Sequence, residues 1–292
     1  MTIISSSRIS NQQIMGLINW GEDHLQQAGN NNPQREIEWL LCDLLCCSRM
    51  ELYMNSETEI SLEQRKTLEN WAKRRLAGEP LQYITGRTEF FGLPFYTNFN
   101  TLIPRPETER LVEVAIDFAQ SGKTENIVDV GTGSGCIAVS LAVNSPSVQI
   151  LAIDNNRDTL EIARKNADVN GVSKQINFQK LDIFREELED KFDLMVSNPP
   201  YIPQNEISGL PLEIRDHEPL HALTDGADGL TFYRRFAAKG RSLVKKGGYL
   251  ILEVGRGKHP QQVERIFTSA GYKNLKMIKD YNGDDRVLTM KV

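Results

Sequence analysis

The sequence predicts an α/β chain: a mainly parallel sheet covered by helices on both faces, preceded by a small all-helical segment and a β-hairpin. Three observations carry this expectation. Beyond about residue 126, short β-type apolar runs alternate with helical stretches, the pattern of βαβ units. The first 85 residues place their apolar side chains at helical spacing. Between these regions lies an aromatic-rich stretch around a Gly92-Leu93-Pro94 turn.

Taken in order, Ile14, Leu17, Ile18 and Leu25 define a first helical stripe. Ile37, Leu40, Leu41, Leu44 and Leu45 form a second after Pro33, and Leu62, Leu68, Trp71 and Leu76 a third that ends at Gly78. These stripes carry packing and no visible chemistry. Residues 1–85 are therefore the expected helical N-terminal domain, a candidate docking module, with 86–103 a hairpin linker and 104–292 the α/β domain. Pro104-Arg105-Pro106 fixes an extended lead-in to a helix with Leu111, Ala115 and Phe118 on one face. Strands are expected at 126–130, 148–153, 176–181, 192–197 and 249–254, and helices at 134–143, 158–170, 229–244 and 260–270. Two more strands, 275–279 and 286–292, close the chain.

The chain has 292 residues, 40% hydrophobic and 25% charged, enough to bury a sizeable core without disulfides. A net charge of -5 and a pI of about 5.6 argue against a protein that tracks a nucleic-acid backbone, which needs a basic excess. Lys73-Arg74-Arg75 and Lys245-Lys246 read as solvated faces. His217 and His221 are four apart, but Pro219 between them argues against a helical metal pair. Cys42, Cys46, Cys47 and Cys136 complete no ligand set and read as small buried hydrophobes, the usage of a reducing cytoplasm. No apolar run approaches the ~20 residues of a membrane span. The polar N-terminus carries no signal-peptide core. The expectation is a cytoplasmic protein with no metal, no membrane and no direct nucleic-acid contact.

Asp129-Val130-Gly131-Thr132-Gly133-Ser134-Gly135 sits between a strand and a helix. Glycines there let the backbone approach a ligand closely, with N–H groups facing outward. Asp154, at the end of the next strand, follows Gly135 by 19 residues. That is close to the ~20 expected of an acid that binds ribose hydroxyls, although a helix N-cap is its competing role. Asp182 closes the third strand and can accept from an adenine amino group, with Ile183 and Phe184 packing on the ring. All three elements fall at the carboxyl ends of the strands, where open α/β sheets bind ligands. A nucleoside cofactor is expected; these residues leave NAD and S-adenosylmethionine both open.

Asn198-Pro199-Pro200-Tyr201 follows the fourth strand at the same end of the sheet. It resembles the signature of amino-methyltransferases, which methylate a planar nitrogen conjugated to a π-system. Such a nitrogen is a poor nucleophile because its lone pair is delocalised. The Asn198 side-chain oxygen and the Pro199 carbonyl can hold its two hydrogens and align it with a sulfonium methyl. Pro199 and Pro200 each bias the preceding residue away from helical angles, which lets both oxygens face a pocket. Tyr201 can stack on the planar group.

The flanking residues narrow the resemblance. They are Gly78-Glu79-Pro80-Leu81-Gln82-Tyr83-Ile84-Thr85-Gly86, Phe91-Gly92, Leu102-Ile103-Pro104-Arg105-Pro106-Glu107-Thr108-Glu109, Asp216-His217-Glu218-Pro219-Leu220, Gly226-Ala227-Asp228-Gly229-Leu230 and Asp285-Arg286. With the glycine loop and Asn198 to Tyr201, this series resembles the bacterial release-factor glutamine N5-methyltransferases, the PrmC/HemK family. The resemblance implies a class I S-adenosylmethionine-dependent methyltransferase with a Rossmann-like seven-stranded sheet. It implies that Gly131, Thr132, Gly133, Ser134, Gly135, Asp154, Asp182, Ile183 and Asn198 contact S-adenosylmethionine. It also implies that Asn198, Pro199, Pro200 and Tyr201 hold the glutamine of a Gly-Gly-Gln motif in peptide chain release factors. The family often has an aromatic residue where this chain has Ile183. Arg105 and Glu107 are candidates for ordering substrate or cofactor, or for a surface ion pair at a capped helix start. Glutamine methylation of a ribosomal protein, adenine methylation of a nucleic acid and a non-catalytic binder are the competing functions.

Overall fold

The computed structural model describes residues 13–27, 32–120 and 124–292. The polar N-terminal stretch, apart from Gln13, lies outside the described residues. The chain divides into two compact units, Met1–Gly86 and Arg87–Val292. Among the described residues no helix is long and apolar enough to cross a membrane.

The first unit is helical: α1 (Ile14–Gln27), α2 (Pro33–Leu45), α3 (Arg49–Met54), α4 (Leu62–Leu76) and α5 (Leu81–Thr85). Ser48 and Ser61 start α3 and α4 with capping boxes closed by Glu51 and Gln64. Leu17, Ile18, Leu25, Ile37, Leu40, Leu41 and Leu68 form its core, each contributing roughly 1.5–3 kcal/mol of burial. Three expectations fail here. Leu62 is 62% exposed, because it is the first residue of α4 and projects before the stripe begins. Arg74 and Arg75 are not a solvated face: Arg74 pairs with Glu79 at 2.5 Å and Arg75 with Glu36 at 2.8 Å, the latter tying α4 to α2. Cys46 is exposed at the left-handed end of α2, and Cys42, Cys47 and Cys136 are only half-buried.

The second unit begins with a hairpin, β1 (Arg87–Phe90) and β2 (Leu93–Tyr96). Its turn is Phe91-Gly92, both with positive φ, whereas the expected Leu93-Pro94 corner lies inside β2. Positive φ at both central residues matches the twist of a two-residue hairpin, and a two-stranded ribbon has edges that tolerate Pro94. Then follow α6 (Pro106–Gln120), β3 (Asn126–Val130), α7 (Cys136–Asn144), β4 (Gln149–Asp154), α8 (Arg157–Val169), β5 (Ile176–Lys180) and β6 (Phe192–Ser197). After a 3₁₀ turn at Gln204–Gly209 come the short α9 (Leu212–His217) and α10 (Leu220–Leu223), then α11 (Thr231–Leu243) and β7 (Val244–Glu253). The chain closes with α12 (His259–Ser269), β8 (Lys273–Lys279) and β9 (Asp285–Lys291).

The main sheet is seven-stranded, in the order β5-β4-β3-β6-β7-β9-β8. β3 to β7 are parallel, while β9 runs antiparallel to β7 and β8 antiparallel to β9. Alternate residues of the central strands pack into different clusters, the mark of a sheet buried on both faces. Ile127, Leu194 and Val196 join α6 and α7, while Val128, Val130 and Met195 join Tyr233, Phe236 and Phe267 of α11 and α12. This is a class I methyltransferase-type α/β fold.

Asn166, fully buried on α8, fastens the hairpin to the loop after β3. Its Oδ1 accepts from Tyr96 N at 2.6 Å, and its Nδ2 donates to Tyr96 O at 3.0 Å and Ser134 O at 2.8 Å. Truncation orphans three backbone groups. Asn166→Ala is expected to cost about 2–4 kcal/mol in urea denaturation; a cost below about 0.5 kcal/mol, the range of surface changes, would show the hairpin is held by other means.

Candidate active site

β3 and β6 lie side by side, but the chain runs from β3 out to β4 and β5, and from β6 the other way to β7. A crevice must open beyond their carboxyl ends, where the connections part. Ser197 Oγ donates to Val130 O at 2.7 Å, locking the two strands where their loops depart. The crevice encloses a cavity of about 130 Å³, lined by residues from both loops.

The loop after β3 enters it first. Gly131 N and Thr132 N both donate to Ile153 O, at 2.9 and 3.0 Å, so the loop bends toward β4. Gly133 N donates to Asp154 Oδ2 at 3.1 Å, and Asn156 N donates to Asp154 Oδ1 at 3.0 Å. Asp154 is thus oriented by backbone, and each oxygen keeps a further lone pair for a ligand. Burial raises its pKa, with these N–H groups opposing. Asn156, not Asp154, caps α8. Gly135 stands apart: it does not line the crevice. Its φ is +80° and a Cβ there would lie 3.1 Å from Ala163 Cβ, so its glycine serves helix packing.

Gly131, Thr132, Gly133, Ser134, Asp154, Asp182, Ile183, Asn198, Pro199 and Pro200 all line this one crevice. Asp182 Oδ1 accepts from Phe184 N at 2.9 Å, and its Oδ2 pairs with Arg185 at 3.3 Å. Beside Ile183, Phe184 meets Phe232 edge-on with 4.8 Å between ring centroids. These two rings supply an aromatic wall next to the aliphatic Ile183.

Tyr201 lines an adjoining hollow with Asn198, Pro199, Leu210 and Ile214. Its hydroxyl turns inward and donates to Glu253 Oε1 at 3.3 Å. Burial pushes its pKa up, with Glu253 adding to the effect. Behind it, His259 Nδ1 accepts from Gly255 N at 3.0 Å and Nε2 meets Gly229 O at 3.2 Å. Gly229 is required: at φ +76° a Cβ would sit 2.3 Å from the Tyr201 carbonyl oxygen.

Leu102, Arg105 and Thr108, from the run that leads into α6, and His221 of α10 also line the crevice, whereas Asn100 and Phe232 line it with no signal of their own in the sequence. Arg105 and Glu107 do not pair with each other. Arg105 is held by the buried Glu218, and Glu107 meets Arg256 at 3.1 Å. Glu218 lies in the Asp216-His217-Glu218-Pro219-Leu220 series, the one local signal that touched it.

Residues 16–86 match the PrmC N-terminal domain, and residues 110–210 match the methyltransferase small domain. The release factor glutamine methyltransferase of Geobacter sulfurreducens is 36% identical over 275 residues, 94% of this chain and 95% of that one. The chain belongs to the release factor glutamine methyltransferase family. A second family member, from Chlorobaculum tepidum, is 38% identical over 268 residues, 89% of this chain and 90% of that one. Among solved structures, the human Mettl16 catalytic domain with a 3′-untranslated-region hairpin aligns with TM-score 0.56 and 15% identity, over 79% of this chain and 82% of that one. Human methyltransferase 10 domain containing protein aligns with TM-score 0.51 and 18% identity, over 69% and 90%. These two likenesses are of fold.

Two buried carboxyls flank the crevice of this family member. Asp129 accepts from Thr132 Oγ1 at 2.7 Å, and burial pushes it up to about 7. Burial likewise pushes Glu253 up to about 7. A raised carboxyl pKa leaves stability intact below about pH 4.5, where both folded and unfolded forms are protonated, and removes it as pH rises through about 7. For Glu253 the shift corresponds to roughly 3 kcal/mol. Glu253→Gln is therefore expected to flatten the fall of the urea midpoint between about pH 5 and pH 8; a slope equal to wild type would place the titration elsewhere.

Proposed function

We propose that this chain transfers the methyl group of S-adenosylmethionine to the side-chain amide nitrogen of the glutamine in the Gly-Gly-Gln motif of peptide chain release factors. The observation that carries the reading is the meeting of the glycine loop and Asn198-Pro199-Pro200 in one crevice. The family relatives, matched along nearly their whole length, supply the substrate class. The residues present suit the methyl donor. Gly131 and Gly133, with positive φ and no Cβ, bare backbone to a ligand, Asp154 offers lone pairs to ribose hydroxyls, and Ile183, Phe184 and Phe232 offer a surface for a purine.

When bound, S-adenosylmethionine supplies an electrophilic methyl on a sulfonium. Asn198 Nδ2 is committed to Thr108 Oγ1 at 3.1 Å, which leaves Oδ1 to accept an N–H of the substrate amide. Pro199, without an N–H of its own, leaves a carbonyl that can accept the second hydrogen. Two acceptors align the amide nitrogen and favour positive charge developing on it, so no strong base is needed to begin the transfer. Tyr201 and the apolar walls of the adjoining hollow offer a dry seat for the glutamine stem. We propose further that the helical unit docks the release factor; exposed Trp39, Met50 and Met54 are apolar side chains available for it.

Labelled S-adenosylmethionine with a purified release factor is expected to label the protein, and a release factor whose Gly-Gly-Gln glutamine is alanine is expected to stay unlabelled. Label on neither, with the cofactor still bound, would turn attention to ribosomal protein or nucleic acid. Asn198→Ala is expected to lower kcat by about 10³-fold with cofactor affinity largely kept; near wild-type turnover would refute the role of the amide. Asp154→Ala is expected to weaken cofactor binding at least about tenfold in calorimetry, and unchanged affinity would remove the ribose assignment.

A further inference from the structure

The crevice and the hollow beside it meet on Leu102, Arg105, Asn198, Pro199 and Ala222, which line both. In the reading above the methyl group crosses at this boundary. Of these residues only Asn198 and Arg105 carry polar side chains, and Arg105 has been given no task. The rest of the hollow is lined by Tyr201, Ile202, Leu210, Ile214 and Leu223, so Arg105 is the one charged residue in its lining.

Arg105 stands between Pro104 and Pro106, directly before α6. Pro106 biases it to extended angles and keeps it out of the helix that follows. Its Nη2 donates to Glu218 Oε1, and Ile103 N donates to the other oxygen, Oε2, at 3.4 Å. The carboxyl is thus engaged on both sides, at the connection of α9 to α10. The Glu218 side chain is 1% exposed and that of Arg105 31% exposed. The buried end of the pair braces the guanidinium, and the open end leaves it within reach of a ligand. A guanidinium has several N–H groups in a fixed fork, and among the described residues Glu218 is its one hydrogen-bond partner. The remaining hydrogens are free for an oxygen that enters from outside.

A glutamine whose amide lies against Asn198 and Pro199 has its main chain only three bonds beyond the amide carbon. The main-chain carbonyls there lose water, and a carbonyl left unpaired by burial is unfavourable. Asn198 cannot supply the donor, because its Nδ2 is committed to Thr108. We propose that Arg105 is a specificity-determining residue: its guanidinium, braced by Glu218, donates to a main-chain carbonyl of the peptide that carries the glutamine. This rests on the methyl-transfer reading above. The Gly-Gly-Gln motif suits such a contact, since glycine has no Cβ to hold the main chain away from the guanidinium. The carboxylate of the cofactor is the other oxygen acceptor of this chemistry. The place of Arg105 favours the substrate: it lines the hollow, which Asp154 and Asp182 do not.

The test measures kcat and the KM for a release factor on wild type, Arg105→Lys and the double variant Arg105→Met/Glu218→Gln, with the S-adenosylmethionine Kd of each from calorimetry. The double variant removes both charges, so no buried carboxylate is left unpaired. It is expected to raise KM at least about tenfold, with kcat and cofactor Kd within about threefold of wild type. Arg105→Lys keeps a positive charge for Glu218 but loses the fork, and an ammonium committed to Glu218 cannot also serve the substrate. Its KM is expected to rise at least about fivefold. A pair that only holds the fold together would be restored by lysine, so a wild-type KM in Arg105→Lys overturns the assignment, as does a wild-type KM in the double variant. A cofactor Kd that rises as much as KM also overturns it and gives Arg105 to the cofactor carboxylate. These failures leave methyl transfer by the wild type standing. A wild-type protein that binds the cofactor but leaves the release factor unlabelled overturns the methyl-transfer reading itself, and the role of Arg105 with it.

Discussion

The parallel pairing of β3 with β6 is the interaction on which the second unit depends. It sets Ile127 against Leu194, Val128 against Met195 and Asp129 against Val196. That register brings the ends of the two strands level, so the glycine loop and the Asn198–Tyr201 loop leave the sheet at the same height. A slip of one residue would turn every side chain of β6 to the other face. Leu194 and Val196 would leave the α6–α7 core, and Asn198 would leave the crevice. Burial on both faces makes that slip expensive, and the Ser197–Val130 hydrogen bond closes the register at its last rung.

The same register explains why polar groups gather under the site. Asp129, Ser197 and Glu253 are the polar residues at the carboxyl ends of three strands, and all three are buried. Buried carboxyls oppose folding, and here the opposing groups are specific: Thr132 for Asp129, and Tyr201, Thr108 and Arg286 for Glu253. A half-satisfied buried network is unfavourable for stability alone. It lies directly behind the Asn198–Tyr201 loop that lines the crevice.

The helical unit is built differently. Its core is an amphipathic-helix core of Leu and Ile, and its ion pairs join helices at their rims. Glu38 is the exception, a buried carboxylate on α2. Burial raises its pKa, but Arg49 at 2.6 Å and the Tyr53 hydroxyl together bring it below the usual value. This pairing ties α2 to α3, a short helix with only one buried side chain, Leu52, to hold it.

Much of the architecture is legible in the sequence because it follows from local periodicity. The alternation of strand and helix, the seven strands, the glycine loop and Asn198–Tyr201 are all runs of a few residues whose backbone preferences are short-range. The crevice partners are not of that kind. Arg105 finds Glu218 across 113 residues, and Asn198 finds Thr108 across 90. A charge or hydroxyl carries no period that names its partner, so such pairs exist only once the strand order is set. The hairpin turn moved to Phe91-Gly92 because pairing with β1 drew Leu93 and Pro94 into a strand. Leu62, apolar but at the end of α4, stayed outside because a stripe marks a face and not where the helix begins. The sequence by itself determined which elements form and which residues can carry chemistry. The tertiary structure decided which of them share a crevice, because that depends on the β3–β6 pairing and on side chains that meet only through it.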